Sequence, residues 1–129
     1  MYNIEKKDFG YKLTFSGTVE AAEMANWVKD AEKALASQAG PFGVFVDMRA
    51  LNPLSNDAKA EMEKGQKLFK QKGMQRSVVI LNSAIVTMQF KKIAKETGID
   101  AWERYIDASN APDWEAKGIA WLKNGTEPE

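Results

Sequence analysis

The chain of 129 residues contains neither cysteine nor histidine. Without cysteine it has no disulfide and no thiol nucleophile, and without either residue type it lacks the usual ligands of a protein zinc site. The commonest general base near neutral pH is missing as well. We therefore expect a protein with no metal, no other cofactor and no familiar catalytic site.

An excess of charge of one sign and long apolar runs are also absent. Lys plus Arg and Asp plus Glu both number 18, so the chain lacks the basic excess of a nucleic-acid-binding protein. The first residues, MYNIEKKDFGYK, are polar where a secretion signal is apolar, and no apolar run approaches the ~20 residues of a membrane span. These absences predict a soluble cytoplasmic protein with no nucleic-acid partner.

Two short apolar runs dominate what is present. FGVFVDM at 42–48 and SVVILN at 77–82 each lead to a serine and then to a longer amphipathic segment. A run that is apolar at successive positions is typical of a strand covered on both faces, and strands joined through helices are normally parallel. The pattern predicts an α/β sheet. Strand carboxyl ends and helix amino ends then meet at one edge, where such folds bind ligands.

The rest of the chain extends this pattern. Residues 2–15 alternate between apolar and polar positions on either side of a turn, which predicts a hairpin, and residues 103–107 predict a last strand. Apolar residues at helical spacing predict four helices. Their predicted limits are Thr18 to Gly40, Ser55 to Gly73, Ser83 to Gly98 and Pro112 to Leu122. The order is β-β-α-β-α-β-α-β-α in one domain over residues 1–123, with a frayed tail at 124–129.

This order, with the segments GMQRSVVILNSA, QFKKIAKETGIDAWERYIDAS and PDWEAKGIAWL, resembles the small bacterial SpoIIAA-like proteins of the STAS type over nearly the whole chain. The resemblance implies the fold of anti-anti-sigma factors, which is related in shape to CRAL-TRIO lipid-binding domains. It implies a single α/β domain with a five-stranded, mostly parallel mixed sheet. The first strand is antiparallel, and helices flank the sheet.

The resemblance also implies a place for phosphorylation. Anti-anti-sigma factors carry an Asp-Ser-Ser-Gly type signature at the start of the helix after the third strand, where a partner kinase phosphorylates a serine. The corresponding stretch here, PLSNDA at 53–58, has Ser55 in that place but lacks the paired hydroxyls and the glycine. Ser55 is therefore either the phosphosite of a protein-interaction switch or only the N-cap of its helix.

The helix starts at the edge where ligands are expected favour the binding of an anion. They present unpaired backbone N–H groups and a partial positive charge. Arg49, just beyond the third strand, would add a charge-assisted contact unless it pairs with Asp47 or Asp57. The residues predicted to hold the anionic end of a ligand are Arg49, Ser55, Asn56 and Ser83.

Four apolar residues flank the same edge. They are Leu51, Leu54, Ile85 and Met88. Either they line a pocket for an acyl chain, or they complete the core beneath the loop. The first interpretation predicts a non-catalytic module that binds a lipid, a fatty acid or another small amphipathic anion. A protein partner, a peripheral membrane contact and a homodimer remain open.

Charged residues leave two further alternatives. Lys59, Glu63, Lys67 and Lys70 form one face of the second predicted helix. That face is either simply solvated or a patch for an anionic partner, and the spacing of Glu63 and Lys67 predicts an ion pair. Asp47 and Asp107 end two predicted strands, and a pair of carboxylates there would suit a carboxylate-based enzyme.

Overall fold

The computed structural model describes residues 1–128. The strands are β1 (Tyr2–Lys7), β2 (Gly10–Gly17), β3 (Phe42–Leu51), β4 (Met74–Leu81) and β5 (Glu103–Asp107). The helices are α1 (Ala21–Leu35), α2 (Asn56–Gln71), α3 (Ala84–Thr97) and α4 (Trp114–Asn124). The predicted order of helices and strands is confirmed.

The five strands form one sheet in the order β1-β2-β3-β4-β5. β1 pairs with β2 in antiparallel fashion, and the three other neighbouring pairs are parallel. This mixed sheet confirms the topology implied by the resemblance. Because β2, β3, β4 and β5 are parallel, their carboxyl ends all lie along one edge of the sheet. We call it the carboxyl edge.

Helices cover the two faces of the sheet unequally. Crossovers between parallel strands share one hand, so successive crossovers in one direction place their helices on the same face. α1, α2 and α3 accordingly bury their apolar residues in the larger core cluster, whereas α4 buries Trp121 and Leu122 in the smaller one. Neighbouring helices α1 and α2 are in contact, as are α2 and α3.

The strand β3 is covered on both faces, as its continuous apolar sequence predicts. Val44, Val46 and Met48 belong to the core beneath α1, α2 and α3. Phe45, between them in sequence, packs in the cluster beneath α4. Alternate side chains of a strand point to opposite faces, so a strand buried on both faces has few polar positions.

The helix and chain ends follow the sequence pattern in most places. Gly98 has a φ of +82°, and its N–H donates to the carbonyl of Ala94, which ends α3 as predicted. α1 ends at Leu35, before the predicted limit at Gly40. In the predicted tail, Glu127 accepts a hydrogen bond from Arg104 at 2.7 Å. Residue 129 lies outside the described part of the chain.

Contact between α1 and α2 depends on a glycine. A Cβ atom at Gly65 of α2 would lie 2.0 Å from the ring of Trp27 on α1. That ring also stacks on Phe69 and meets the ring of Phe15 edge-on. The tryptophan is fully buried, so neither helix can move away without opening the core.

We expect Gly65→Ala to lower the free energy of unfolding by about 1–3 kcal/mol, because the added methyl group overpacks the contact with Trp27. Alanine otherwise favours a helix over glycine by about 1 kcal/mol. The same change in a Trp27→Leu background should therefore be neutral or stabilising. Urea unfolding of the four chains of this cycle measures both effects, and equal effects in the two backgrounds would contradict the assigned contact.

Candidate functional site

Two serines at the carboxyl edge cap helices, and a cap is one of the two alternatives predicted for Ser55. The Oγ of Ser55 accepts a hydrogen bond from the N–H of Ala58 at 3.2 Å, at the start of α2. The Oγ of Ser83 accepts one from the N–H of Val86 at 3.3 Å, at the start of α3. Both hydroxyls thus satisfy backbone donors that a helix start leaves unpaired.

The other two helix starts lack such a cap. The predicted limit of the first helix is Thr18, but α1 begins after Glu20, and no side chain caps it. The Oγ1 of Thr18 instead accepts a hydrogen bond from the side-chain amide of Asn52 at 3.1 Å. α4 begins after Asp113, also without a side-chain cap. Thr18 therefore serves to join the ends of β2 and β3.

Arg49 lies apart from the two serines. Its guanidinium donates two hydrogen bonds to the carboxylate of Asp47, at 3.0 and 2.9 Å, and lies 4.1 Å from the ring centroid of Trp114 on α4. Burial raises the pKa of Asp47, but hydrogen bonds and charge from Arg49 outweigh it and hold that pKa below its usual range. Arg49 thus belongs to the α4 face, whereas Ser55 and Ser83 begin helices of the opposite face.

The four apolar residues of the predicted acyl pocket divide into two pairs. Leu51 and Leu54 are 5% and 6% exposed and belong to the main core cluster. Ile85 and Met88 are 62% and 71% exposed at the start of α3. The structure does not bring the four together. Leu51 and Leu54 complete the core beneath the loop, as the alternative interpretation predicts.

A reciprocal hydrogen-bonded pair fixes this loop. The N–H of Leu54 donates to the side-chain oxygen of Gln89, and the side-chain amide of Gln89 donates to the carbonyl of Leu54, both at 2.9 Å. Gln89 lies on α3, 35 positions along the chain. The pair holds the loop before α2 against α3, and no local sequence pattern predicts so distant a contact.

The surface beside this pair is a groove between α2 and α3. We call it the α2–α3 groove, and it is lined by Asn56, Lys59, Ala60, Glu63, Met88, Gln89, Lys92, Ile93 and Glu96. It brings the predicted residues Asn56 and Met88 together. Sequence reasoning missed Lys92 and Glu96, although their spacing on α3 repeats that of Lys59 and Glu63 on α2.

Like charges meet in this groove. Hydrogen bonding to the Glu96 carboxyl group, desolvation and the negative charge of Glu96 raise the pKa of Glu63, in that order of size. No ion pair joins Glu63 to Lys67 within residues 1–128, so the pair predicted on α2 does not form. Lys59 and Lys67 oppose the rise in pKa by their charge alone.

The strand-end carboxylates considered for an enzyme have structural partners. Asp107 accepts hydrogen bonds from the backbone N–H and the hydroxyl of Ser109, which lower its pKa, and from the side chain of Asn110. β4 lies between the strands that carry Asp47 and Asp107. Residues 1–128 contain no group of three or more His, Cys, Asp or Glu placed to hold a metal ion.

A second titratable cluster is buried in the core. Glu103 on β5 accepts hydrogen bonds from the hydroxyls of Ser77 and Tyr105. Burial raises the pKa of Glu103 to about 7, although both hydrogen bonds favour its charged form. The adjoining cavity of about 30 Å³ has an almost wholly apolar lining and room for about two water molecules. Its size suits no lipid.

Comparison with known proteins bears on the fold. No protein-family model matches the chain, and no curated protein does. A solved structure that matches is that of an uncharacterised protein of the DUF3478 family from Shewanella loihica PV-4, described as having a SpoIIAA-like fold. The match has a TM-score of 0.58 at 19% identity and covers 88% of this chain and 91% of the other. This chain has a SpoIIAA-like fold.

The SpoIIAA-like fold places Ser55 where the resemblance expects a phosphorylated serine. It is exposed and precedes the helix that follows the third strand. Its observed partner is the helix backbone. Phosphorylation of Ser55 stays a prediction. In the described residues, no helix of this SpoIIAA-like fold has the length and apolar character needed to cross a membrane.

We expect Leu54→Asp to lower the free energy of unfolding by about 3 kcal/mol or more, because a carboxylate would replace a buried core side chain. Met88→Asp, on an exposed helix surface, should change it by about 0.5 kcal/mol at most. Thermal and urea unfolding of both variants provide the comparison. Similar stability of the two would contradict the separation of the four apolar residues into a core pair and a surface pair.

Glu103 predicts a pH dependence of stability. Its pKa in the folded chain lies above the ordinary value of 4.5, so the folded state binds this proton more tightly than the unfolded state does. Its contribution is fully present below pH 4.5 and is lost as the pH rises through about 7. We expect Glu103 to lower the free energy of unfolding of the wild-type chain by about 3 kcal/mol between pH 4.5 and 8. Glu103→Gln should abolish this decrease.

Urea unfolding at several pH values measures this loss. Glu32→Gln, a change at an exposed position of α1, is the matched control and should retain the wild-type pH dependence. Parallel pH profiles for the wild-type chain and Glu103→Gln would contradict the assignment.

Proposed function

We propose that this protein is a non-catalytic docking module that binds a segment of a partner protein in the α2–α3 groove. The observation that carries the proposal is the exposure of Ile85 and Met88 beside this groove. Apart from the first residue, they are the large hydrophobic side chains that residues 1–128 leave exposed. Neighbouring exposed apolar side chains with a charged surround are typical of protein contact surfaces.

The composition of the groove favours a protein segment as the occupant. It is open to solvent and offers charges of both signs beside an apolar side chain: Lys59 and Lys92, Glu63 and Glu96, and Met88. A lone acyl chain would leave these charges without partners. A protein segment of mixed charge with an apolar side chain can match both, and methionine adapts its shape to different partners.

The polar groups at the carboxyl edge support a non-catalytic role. The oxygens of Ser55 and Ser83 accept hydrogen bonds from helix backbones, and the Asp47 carboxylate is held by Arg49. Asp107 is held in a turn by Ser109. A nucleophile needs a neighbouring base to activate it, and these residues have structural partners instead.

Ser55 gives this module a place for regulation. It precedes Asn56, which lines one end of the groove. A phosphate there would interact favourably with the amino end of α2 and add negative charge beside the groove. Phosphorylation would thereby change which partner charges the groove favours.

Photocrosslinking tests the docking surface. We expect a photoreactive phenylalanine analogue at position 88, in the protein produced in its own host, to form adducts with the mass of a protein. The same analogue at Lys29, an exposed position on α1, is the matched control and should form none. An adduct with the mass of a fatty acid would assign the groove to a small amphiphile instead. No adduct, or equal yields at both positions, would overturn the proposal.

A further inference from the structure

We propose that one proton on the buried carboxyl group of Glu103 controls how firmly α3 is attached to β5, and thereby regulates docking in the α2–α3 groove. This inference rests on the proposed docking function and names its regulation. It is carried by a chain of hydrogen-bonding groups that runs from β4 through β5 to the backbone of α3. The chain has three contacts, and the number of protons available to them depends on the charge of Glu103.

The chain of contacts begins at Ser77 on β4. The hydroxyl of Ser77 lies 3.0 Å from Oε1 of Glu103, and the hydroxyl of Tyr105 lies 2.5 Å from Oε2 of the same carboxyl group. The Tyr105 hydroxyl also lies 3.3 Å from the backbone carbonyl oxygen of Phe90 on α3. That oxygen accepts the helical hydrogen bond with one lone pair and has a second lone pair for Tyr105. A continuous path therefore joins the sheet to α3.

Only two protons are available to the three contacts when Glu103 is ionised. The hydroxyls of Ser77 and Tyr105 carry one proton each, and a carboxylate can only accept. Burial and the charge of Glu103 raise the pKa of Tyr105, so its hydroxyl keeps its proton. Because a charged acceptor forms the stronger hydrogen bond, Tyr105 donates to Glu103. The carbonyl of Phe90 then receives no hydrogen bond from Tyr105.

Protonation of Glu103 supplies the third proton. The carboxylic acid donates from Oε2 to the oxygen of Tyr105, while Oε1 still accepts from Ser77. Tyr105 can then donate to the carbonyl of Phe90, and all three contacts become hydrogen bonds. The proton thus adds a direct hydrogen bond between β5 and α3.

The surroundings of Glu103 leave both charge states accessible. Within residues 1–128, every other residue that lines the adjoining cavity, from β2, β3, β4, α1, α2, α3 and the loop before β5, is uncharged. The charge of Asp100 in that loop raises the pKa of Glu103, and Lys91 on α3 lies 5.5 Å from the ring centroid of Tyr105. Arg104 follows on β5 and points to the opposite face. Since burial raises this pKa to about 7, both states are populated near neutral pH.

The helix that this proton controls forms one wall of the α2–α3 groove. Phe90 lies on α3 among Met88, Gln89 and Lys92, which line the groove. The bonds of Gln89 hold α3 to the loop before α2, whereas the bond from Tyr105 holds it to the sheet. A wall held at both places is ordered before a partner arrives, which reduces the entropy lost on binding. The protonated chain should therefore bind its partner more tightly.

Carbon-13 NMR of the purified chain tests the proton control. The shift of the Phe90 carbonyl, which responds to hydrogen bonding, should titrate from about pH 5 to 9 with the midpoint of the Glu103 carboxyl group. In Glu103→Gln the side-chain amide replaces the acid proton, so the Phe90 shift should stay constant. In Tyr105→Phe the Glu103 carboxyl should titrate while the Phe90 shift stays constant. The carbonyl of Ala31, buried on α1, is the internal control and should not titrate.

Photocrosslinking at position 88 connects this proton to docking. In lysate of the host, the yield of protein adduct should be about fivefold higher at about pH 6 than at about pH 8.5, the effect of one neutral hydrogen bond. Glu103→Gln should remove this difference. Because the variant leaves the groove residues and the partner unchanged, it controls for their own titration.

The outcomes separate this inference from the docking proposal. A Phe90 shift that stays constant in the wild-type chain, or that still titrates in Tyr105→Phe, would overturn the proton control. Adduct yields with the same pH dependence in the wild-type chain and Glu103→Gln would contradict the regulation and leave docking in place. If position 88 forms no adduct at either pH, docking is wrong and its regulation with it, while NMR still decides whether the proton controls α3.

Discussion

The common hand of the crossovers between neighbouring parallel strands is the constraint on which the rest of this structure depends. Because β2, β3 and β4 each lead to the next strand in space, α1, α2 and α3 must share one face. Two consequences follow. The strands between the layers are buried on both faces, and α2 and α3 run side by side in the same direction. The α2–α3 groove exists because of that parallel placement.

Close packing on the face covered by α1, α2 and α3 decides which apolar side chains remain exposed. Trp27 occupies the space that a side chain at Gly65 would need, so α1 and α2 approach closely. Leu51 and Leu54 close the core at the carboxyl edge, and the Gln89 pair holds the loop there. The apolar groups left for a partner are therefore those on the outer surface of α3, not those of the loop.

Glu103 and Glu63 show how the location of a carboxyl group determines why its pKa is raised. Glu103 is buried among hydroxyl donors without a cation, so its pKa is raised by loss of water. Glu63 lies at the surface, and its pKa is raised first by its contact with another carboxyl group. The first arrangement makes the stability of the fold depend on pH. The second faces solvent, where an incoming protein can change it, and for that reason we associate it with binding.

The sequence by itself determined the strands, their order with the helices, and the helix ends at Ser55, Ser83 and Gly98, because these depend on periodicity and on backbone groups a few residues away. Family resemblance added the antiparallel first strand. Only the tertiary structure decided the candidate site. It buried Leu54, turned Arg49 to the α4 face and set Glu63 against Glu96. These outcomes depend on which surfaces meet across the fold, and a linear pattern does not encode the distance between residues of different helices.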